Sequence, residues 1–176
     1  MNKYLALAAL GPNSPTVIQD IAHAVLDSGC NIIESRVARL SSEVTINMLV
    51  AGNWSTIARL EQGLPVLGQR LGVEILAHAA TDGTARNDLL PYAIDLISMD
   101  QPGIVFRLVR FLAQREIRIN DLSSSSYIAQ TTGATMVSLH MSVAVPNNLH
   151  IATLRDDFML LCDELNLDAV LEPMKG

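Results

Sequence analysis

Apolar and polar residues follow the same order twice along this chain. Each copy begins with an apolar run that predicts a buried strand, at residues 4–10 in the first copy and 92–98 in the second. A proline-containing turn follows each run, and the next apolar residues recur at helical spacing. The pattern therefore predicts, twice, a strand that leads through a sharp turn into an amphipathic helix.

The two copies align without a gap from the first turn to the second strand. A shift of 87 residues places Pro15 on Pro102 and brings the apolar helix positions into the same register. Beyond the second strand the shift is 94, because the second copy has gained seven residues before its second helix. A shared apolar template over two helices and their flanking strands indicates an internal duplication.

Each copy predicts six elements in the order β-α-β-β-α-β. In the first we expect strands at 4–10, 31–40, 44–51 and 73–79, and helices at 15–28 and 53–71, the latter with a break or kink near Gly63 and Pro65. In the second we expect strands at 92–98, 119–129, 135–145 and 168–172, and helices at 102–115 and 148–165. This order predicts an α+β fold of two ferredoxin-like βαββαβ domains with antiparallel sheets, each with both helices on one face.

The repeat also predicts the domain boundaries. We expect a first domain at residues 1–80, a polar linker at 81–90 and a second domain at 91–176. The unbroken apolar run at 4–10 predicts a central strand covered on both faces. Because this topology leaves strand edges open, we expect the two sheets to associate, or the chain to form a homodimer through the same surface.

Composition limits the function classes. The chain has 12 basic and 18 acidic residues, a net charge of −6 and a pI near 5.1, which argues against a nucleic-acid surface. No apolar run is long enough for a membrane span, and the first residues lack a signal-peptide layout. The two cysteines, Cys30 and Cys162, have no CxxC spacing. We therefore expect a cytoplasmic protein without a disulfide or zinc site.

Reactive residues do not form a recognisable catalytic set. The four histidines fall on separate predicted elements, Asp156 and Asp157 are expected to stabilise a helix dipole, and the methionines and Cys30 are expected to be packed. An RNA-binding version of this fold would need aromatic residues on its strands. A metal chaperone would need a CxxC motif in the first loop, and an acylphosphatase-like enzyme would need an arginine in that loop. None is present, so we expect no catalytic residue, no metal and no cofactor.

The two strand-to-helix turns remain as the candidate ligand site. Helix starts offer free N–H groups to a carboxylate, and nearby amides and hydroxyls can hold the rest of a small zwitterion. Gly103 has no side chain, so a ligand can approach the backbone at this position. The same polar residues could serve only as turn and cap. The predicted ligand-binding residues are Asn13, Ser14, Thr16, Asn31 and Ile32 in the first copy, and Asp100, Gln101, Gly103, Ile104 and Asn120 in the second.

Asp100-Gln101-Pro102-Gly103-Ile104, followed by a helix and Ile119-Asn120-Asp121-Leu122, resembles the ACT domain family of small-molecule regulatory modules. The resemblance covers nearly the whole chain. The first copy departs from it, with Asn13-Ser14-Pro15-Thr16 where Asp-x-Pro-Gly is usual, and Arg118 replaces the asparagine that Asn31 provides. The duplicated layout is similar to the tandem-ACT repressors of the glycine cleavage system.

That resemblance implies a non-enzymatic repressor without a DNA-binding domain. It would act by contact with a separate LysR-type transcriptional activator, and a small amino acid such as glycine would relieve repression. The alternatives are a free-standing amino-acid sensor that regulates a metabolic enzyme, and a structural remnant with empty sites.

Overall fold

The structure, a computed structural model, describes residues 3–81 and 88–174. The chain divides into two compact units, residues 1–84 and 85–176, called the first and second units below. Each contains the predicted β-α-β-β-α-β order. Most of the predicted linker lies outside the described residues, and the first strand of the second unit begins at Leu89, within the range predicted as linker.

The first unit is a four-stranded antiparallel sheet with two helices. Its elements are β1 (Lys3–Pro12), α1 (Pro15–Asp27), β2 (Asn31–Leu40), β3 (Glu43–Gly52), α2 (Trp54–Leu71) and β4 (Glu74–Ala80). The strand order is β2-β3-β1-β4, so β1 is central and β2 is an edge strand.

The second unit has the same topology. Its elements are β5 (Leu89–Met99), α3 (Ile104–Ala113), β6 (Arg118–Ile128), β7 (Thr135–Pro146), α4 (Ile151–Leu165) and β8 (Asp168–Pro173), with strand order β6-β7-β5-β8. The serine run at 123–126 lies in the edge strand β6, and Gly133 in the following hairpin turn has a φ of +71°. The predicted α+β fold of two βαββαβ units is confirmed.

Each core lies between one sheet face and the two helices of its unit. Burial in β1 alternates: Leu5, Leu7 and Ala9 are buried, whereas Ala6, Ala8 and Leu10 are exposed. The expectation that this strand is covered on both faces is therefore wrong, because small alanines make an alternating strand look continuously apolar.

The buried positions confirm the internal repeat. Three buried residues of α1, spaced one helical turn apart, correspond at a shift of 87 to three of α3: Val17, Ile21 and Val25 match Ile104, Leu108 and Leu112. At a shift of 94, Leu60, Leu64 and Gly68 of α2 match Leu154, Phe158 and Cys162 of α4.

Helix α2 continues through Gly63 and Pro65, so it does not break there, and a kink stays a prediction. A proline inside a helix cannot donate to the carbonyl four residues earlier, here that of Glu61. Both Glu61 and Pro65 are exposed, so water can satisfy that carbonyl. Packing of the opposite face, through residues such as Leu60 and Leu64, keeps the helix continuous.

The starts of α3 and α4 also differ from prediction. Pro102 does not open α3; the helix begins at Ile104 with Gly103 as its N-cap. Helix α4 begins at Ile151, so Asp156 and Asp157 lie beyond the first turn, where the helix dipole acts. Asp157 instead accepts a 2.7 Å bond from Arg115, which ties α4 to the end of α3.

Some of the remaining single-residue predictions are confirmed and others are wrong. The histidines lie on α1, β4, β7 and at the N-cap of α4, and Cys30 is buried, as predicted. Met48 and Met141 fill the cores, but Met99 and Met159 are exposed, contrary to prediction. In the part of the chain that the structure describes, no helix is long and apolar enough to span a membrane.

Candidate ligand site at the strand-to-helix turns

The turn of the first unit, residues 11–16, is held by its own backbone. A Cβ on Gly11 would collide with the side chain of Val73, so this position requires glycine. The N–H of Asn13 donates to the carbonyl of Ser42 at 3.0 Å, and that of Ser14 donates to Pro12 at 2.8 Å. The chain is therefore anchored to the β2–β3 hairpin just before the helix begins.

This first turn has few free N–H groups that could bind an anion. Ser14 is the N-cap by position, but its hydroxyl bonds that of Thr16 at 3.0 Å and does not cap the helix. Pro15 has no N–H, and the N–H of Val17 donates to Ser14. Among the described donors of this helix start, the Thr16 N–H is the one that remains without a backbone acceptor.

The turn of the second unit, residues 100–103, is held by side chains as well as backbone. The N–H of Asp100 donates to Thr135 at 2.9 Å, and its carboxylate accepts a 2.7 Å bond from Ser126. The side chain of Gln101 donates to the carbonyl of Leu165 at 2.9 Å, at the end of α4. Two of the predicted ligand-binding side chains thus fix the turn itself.

The start of α3 offers more donors than that of α1. Gly103 is the N-cap and has no side chain, and the N–H groups of Ile104, Val105 and Phe106 have no acceptor among the described residues. These are the N–H groups at the positive end of the helix dipole. Of the two predicted sites, the second therefore has the stronger backbone preference for a carboxylate.

Gly103 has a conformational role. Its φ is +95°, in the left-handed region that favours glycine, while a Cβ at this position would meet nothing within 4 Å. That Gly103 leaves the backbone open to an approaching ligand stays a prediction. The backbone conformation of the turn accounts for the glycine.

Within each unit, the predicted strand residues lie away from that unit's own turn. Asn31 pairs across the sheet with Ala51, and Ala51 pairs with Tyr4 at the beginning of β1. The turn follows Pro12, eight residues further along, so Asn31 lies roughly 26 Å away along the strand direction. Ile32 is the next residue of the same strand and is half-buried against the core.

Asn120 lies near the start of β6, at the position equivalent to Ile33 of the first unit. It is the extra residue of a β-bulge between Ile119 and Asp121, opposite the region of β7 that pairs with the start of β5. The prediction that groups these strand residues with the turn of their own unit is therefore wrong for both units. A right-handed crossover returns the chain to the opposite end of the sheet, because β1 and β2 run in the same direction.

Several residues that meet turn 100–103 were not predicted, among them Ser126, Thr135, Arg107 and Glu164. Ser126 and Thr135 close it from the β6–β7 hairpin. On the helix side, a cavity of about 200 Å³ is lined by Gln101, Pro102, Ile104, Arg107, Glu164, Leu165 and Asn166. The repeat contained a signal for two of them, since shifts of 87 and 94 place Asp20 on Arg107 and Arg70 on Glu164.

One buried thiol lies near the end of α4. Cys162 is 6% exposed, and burial, with a smaller contribution from the charge of Asp163, raises its pKa from 9.0 to about 11. The thiol is therefore neutral at physiological pH and a poor nucleophile. It fills the core position that Gly68 occupies in the first unit.

Residues 3–78 match the family model described as the ACT domain. The match covers nearly the whole of the first unit. The second unit repeats its element order and sheet topology, so the chain contains two units with the ACT fold in tandem.

Similarity to characterised proteins extends over both units. The chain is 28% identical over 163 residues to the glycine cleavage system transcriptional repressor of Escherichia coli strain K12, covering 93% of this chain and 86% of that protein. The corresponding protein of Shigella flexneri gives the same values.

Two solved structures resemble the chain over its full length. A crystal structure of a candidate glycine cleavage system transcriptional repressor has a TM-score of 0.76 and 26% identity, covering 100% of this chain and 99% of that one. An unknown protein from Galdieria sulphuraria has a TM-score of 0.81 and 21% identity, covering 99% and 100%, and supports the fold alone.

Proposed function

We propose that this protein is a non-enzymatic, amino-acid-responsive regulator that represses glycine cleavage genes by contact with a LysR-type activator. The observation that carries the proposal is the similarity to the Escherichia coli repressor over 93% of the chain. Because the match includes both units, it concerns the tandem arrangement and not only one ligand-binding module.

The proposed ligand is a small amino acid, with glycine as the first candidate. Its carboxylate would meet the N–H groups at the start of α3, where an exposed anion gains about 0.3–1 kcal/mol from the helix dipole. Glycine has few apolar atoms, so its affinity would come mainly from charge-assisted hydrogen bonds, each contributing roughly 1.5–3 kcal/mol.

Asn31 and Asn120 fit this proposal only in an assembled form. Each lies at the opposite end of its own sheet from the turn. A ligand at a turn could contact such a residue if another sheet brought its own strand start to that turn. We therefore assign the primary contacts to turn 100–103 and leave the strand residues a secondary role.

The charge of the protein supports action through a protein partner. The net charge is −6, and the 12 basic residues are distributed along the whole sequence. Proteins that bind DNA directly neutralise phosphates with clustered Lys and Arg. An acidic regulator is better suited to contact a DNA-binding partner than the DNA itself.

Deletion of the gene tests this proposal against its alternative. In the absence of added glycine, loss of a repressor should raise the transcripts of the glycine cleavage genes, and re-expression of the chain should restore repression. If these transcripts stay unchanged while an amino-acid-metabolising enzyme loses its response to its amino acid, the protein is instead a sensor that regulates that enzyme.

A further inference from the structure

The cavity between the start of α3 and the end of α4 contains two opposite charges that are not paired. Arg107 and Glu164 both line this space of about 200 Å³. Neither side chain makes an ion pair or a hydrogen bond with the described residues. The neighbouring Gln101 is fixed by its bond to the carbonyl of Leu165, so one wall of the cavity is preformed.

The first unit shows the same two positions with their charges paired, beside a space of about 430 Å³ that both residues line. Asp20 and Arg70 are the equivalents of Arg107 and Glu164, with the charges exchanged. There the Arg70 guanidinium lies 3.9 Å from the Asp20 carboxylate, and the two neutralise each other. The second unit keeps one charge of each sign at these positions but separates them by more than the roughly 4 Å of an ion pair.

We infer that this cavity binds the zwitterionic end of a small amino acid, with Arg107 holding the α-carboxylate and Glu164 the α-ammonium. This inference rests on the proposed function and names the site within it. A free amino acid carries its two charges on adjacent groups, so one molecule can bridge a guanidinium and a carboxylate that do not reach each other. Arginine is suited to this role because its planar donors match a carboxylate in pairs.

The position and size of the cavity agree with that ligand class. Ile104, whose N–H is at the free start of α3, also lines the cavity, so a carboxylate at Arg107 lies toward the positive end of the helix. Pro102 and Leu165 provide the apolar lining. The space of about 200 Å³ is large enough for glycine, alanine or serine, and Arg107 and Glu164 also line a second space of about 460 Å³.

Calorimetric titration of the full chain with glycine, alanine and serine tests the inference. Arg107→Gln and Glu164→Gln should each weaken the binding of the tightest of the three by about tenfold or more, because each removes one charge-assisted contact. Arg107→Gln should hardly change the affinity for glycinamide, because glycinamide lacks the carboxylate. Glu164→Gln should hardly change the affinity for N-acetylglycine, because N-acetylglycine lacks the ammonium.

Matched controls separate the site from net charge and from folding. Arg155→Gln and Asp156→Asn remove the same charges from exposed positions of α4 that do not line the cavity, and should leave affinity unchanged. The exchange Arg107→Glu with Glu164→Arg should bind more tightly than either single reversal, because the ligand can turn around. Circular dichroism should show all variants folded, since both side chains are exposed and lack partners among the described residues.

The outcomes distinguish this inference from the proposed function. If the three ligands bind the Gln variants and the wild type equally, the cavity is not the site, although amino-acid sensing remains. If no amino acid binds the wild-type chain at all, both the site and the sensing role are wrong. Loss in both Gln variants with unchanged controls supports the site.

Discussion

Gly103 shows how one residue determines the geometry of the second turn. Its φ of +95° lies in the left-handed region, while the space that a Cβ would occupy is open. We therefore expect Gly103→Ala to lower the free energy of unfolding by about 1 kcal/mol through backbone strain alone. Gly103→Asn should cost less, because asparagine tolerates this conformation better. Urea denaturation of the three proteins measures the difference.

Equal stability of the alanine and glycine proteins would contradict this account of the turn. A loss of ligand affinity in Gly103→Asn without a loss of stability would instead indicate that the glycine is needed for ligand approach. The sequence predicted the importance of Gly103, but a motif alone does not separate a conformational requirement from a steric one. The value of φ does.

Cys162 predicts a specific dependence of stability on alkaline pH. Burial raises the pKa of this thiol from 9.0 to about 11 in the folded chain. The folded state then holds its proton where the unfolded state has lost it, so stability contributed by the neutral thiol is complete below pH 9 and is lost as pH rises toward 11. The unfolding free energy of wild type minus that of Cys162→Ala should therefore decrease between about pH 9 and about pH 11.

The comparison with Cys162→Ala cancels the other groups that titrate in the same range. A difference between wild type and variant that stays constant from about pH 9 to about pH 11 would show that the thiol ionises normally in the folded protein. A thiol-specific reagent should likewise react with folded wild type slowly at about pH 8 and rapidly once urea unfolds it.

At the scale of elements, helix α2 contains two glycines with opposite predicted effects. Gly63 has open space around its Cβ position, whereas a Cβ on Gly68 would lie 2.8 Å from the backbone oxygen of Val73. Gly63→Ala should stabilise the protein by about 0.5–1 kcal/mol through helix propensity. Gly68→Ala should destabilise it by roughly 1–3 kcal/mol, because the backbone of the next segment must move.

Both variants make the same chemical change in the same helix, so each is the control for the other in thermal or urea unfolding. Equal effects would mean that α2 does not pack closely against the segment around Val73. The pair also tests the continuity of α2 through Pro65, since a helix broken there would not be stabilised by alanine at position 63.

The sequence predicted the elements well where an apolar period and a turn signal coincide. β2 has the predicted bounds, and both copies follow the same buried template. The sequence-based prediction failed where a neighbouring residue or the packing of a helix determines where that helix begins or ends. Pro102 looks like a helix start, but Gly103 adopts the left-handed conformation and delays α3 to Ile104. Pro65 looks like a break, but the packed face of α2 carries the helix through.

The candidate site was predicted only in part. The turn and its free N–H groups follow from the local sequence around Gly103. Asn31 was predicted to lie near the turn, but β2 runs in the same direction as β1. The first residue of β2 therefore lies at the end of the sheet where β1 begins. Arg107 and Glu164 were missed because charged residues on exposed helix positions usually mark a solvated face. Only the comparison with Asp20 and Arg70 makes them distinctive.

At the scale of the whole molecule, we predict that the protein has no intrinsic sequence-specific affinity for DNA. With 18 acidic and 12 basic residues, the chain has no net electrostatic attraction to DNA phosphates. The purified chain should produce no mobility shift with a glycine cleavage promoter at physiological salt. A shift that only the specific sequence competes would contradict the prediction.

The central claim is that an amino acid controls contact between this chain and an activator. Fluorescence anisotropy of the labelled chain, titrated with a purified LysR-type activator of the glycine cleavage genes, tests it directly. We predict binding without glycine and a weakening of about tenfold or more with saturating glycine, within the usual range of coupling between two sites. Absence of binding, or an affinity that glycine does not change, would contradict the account.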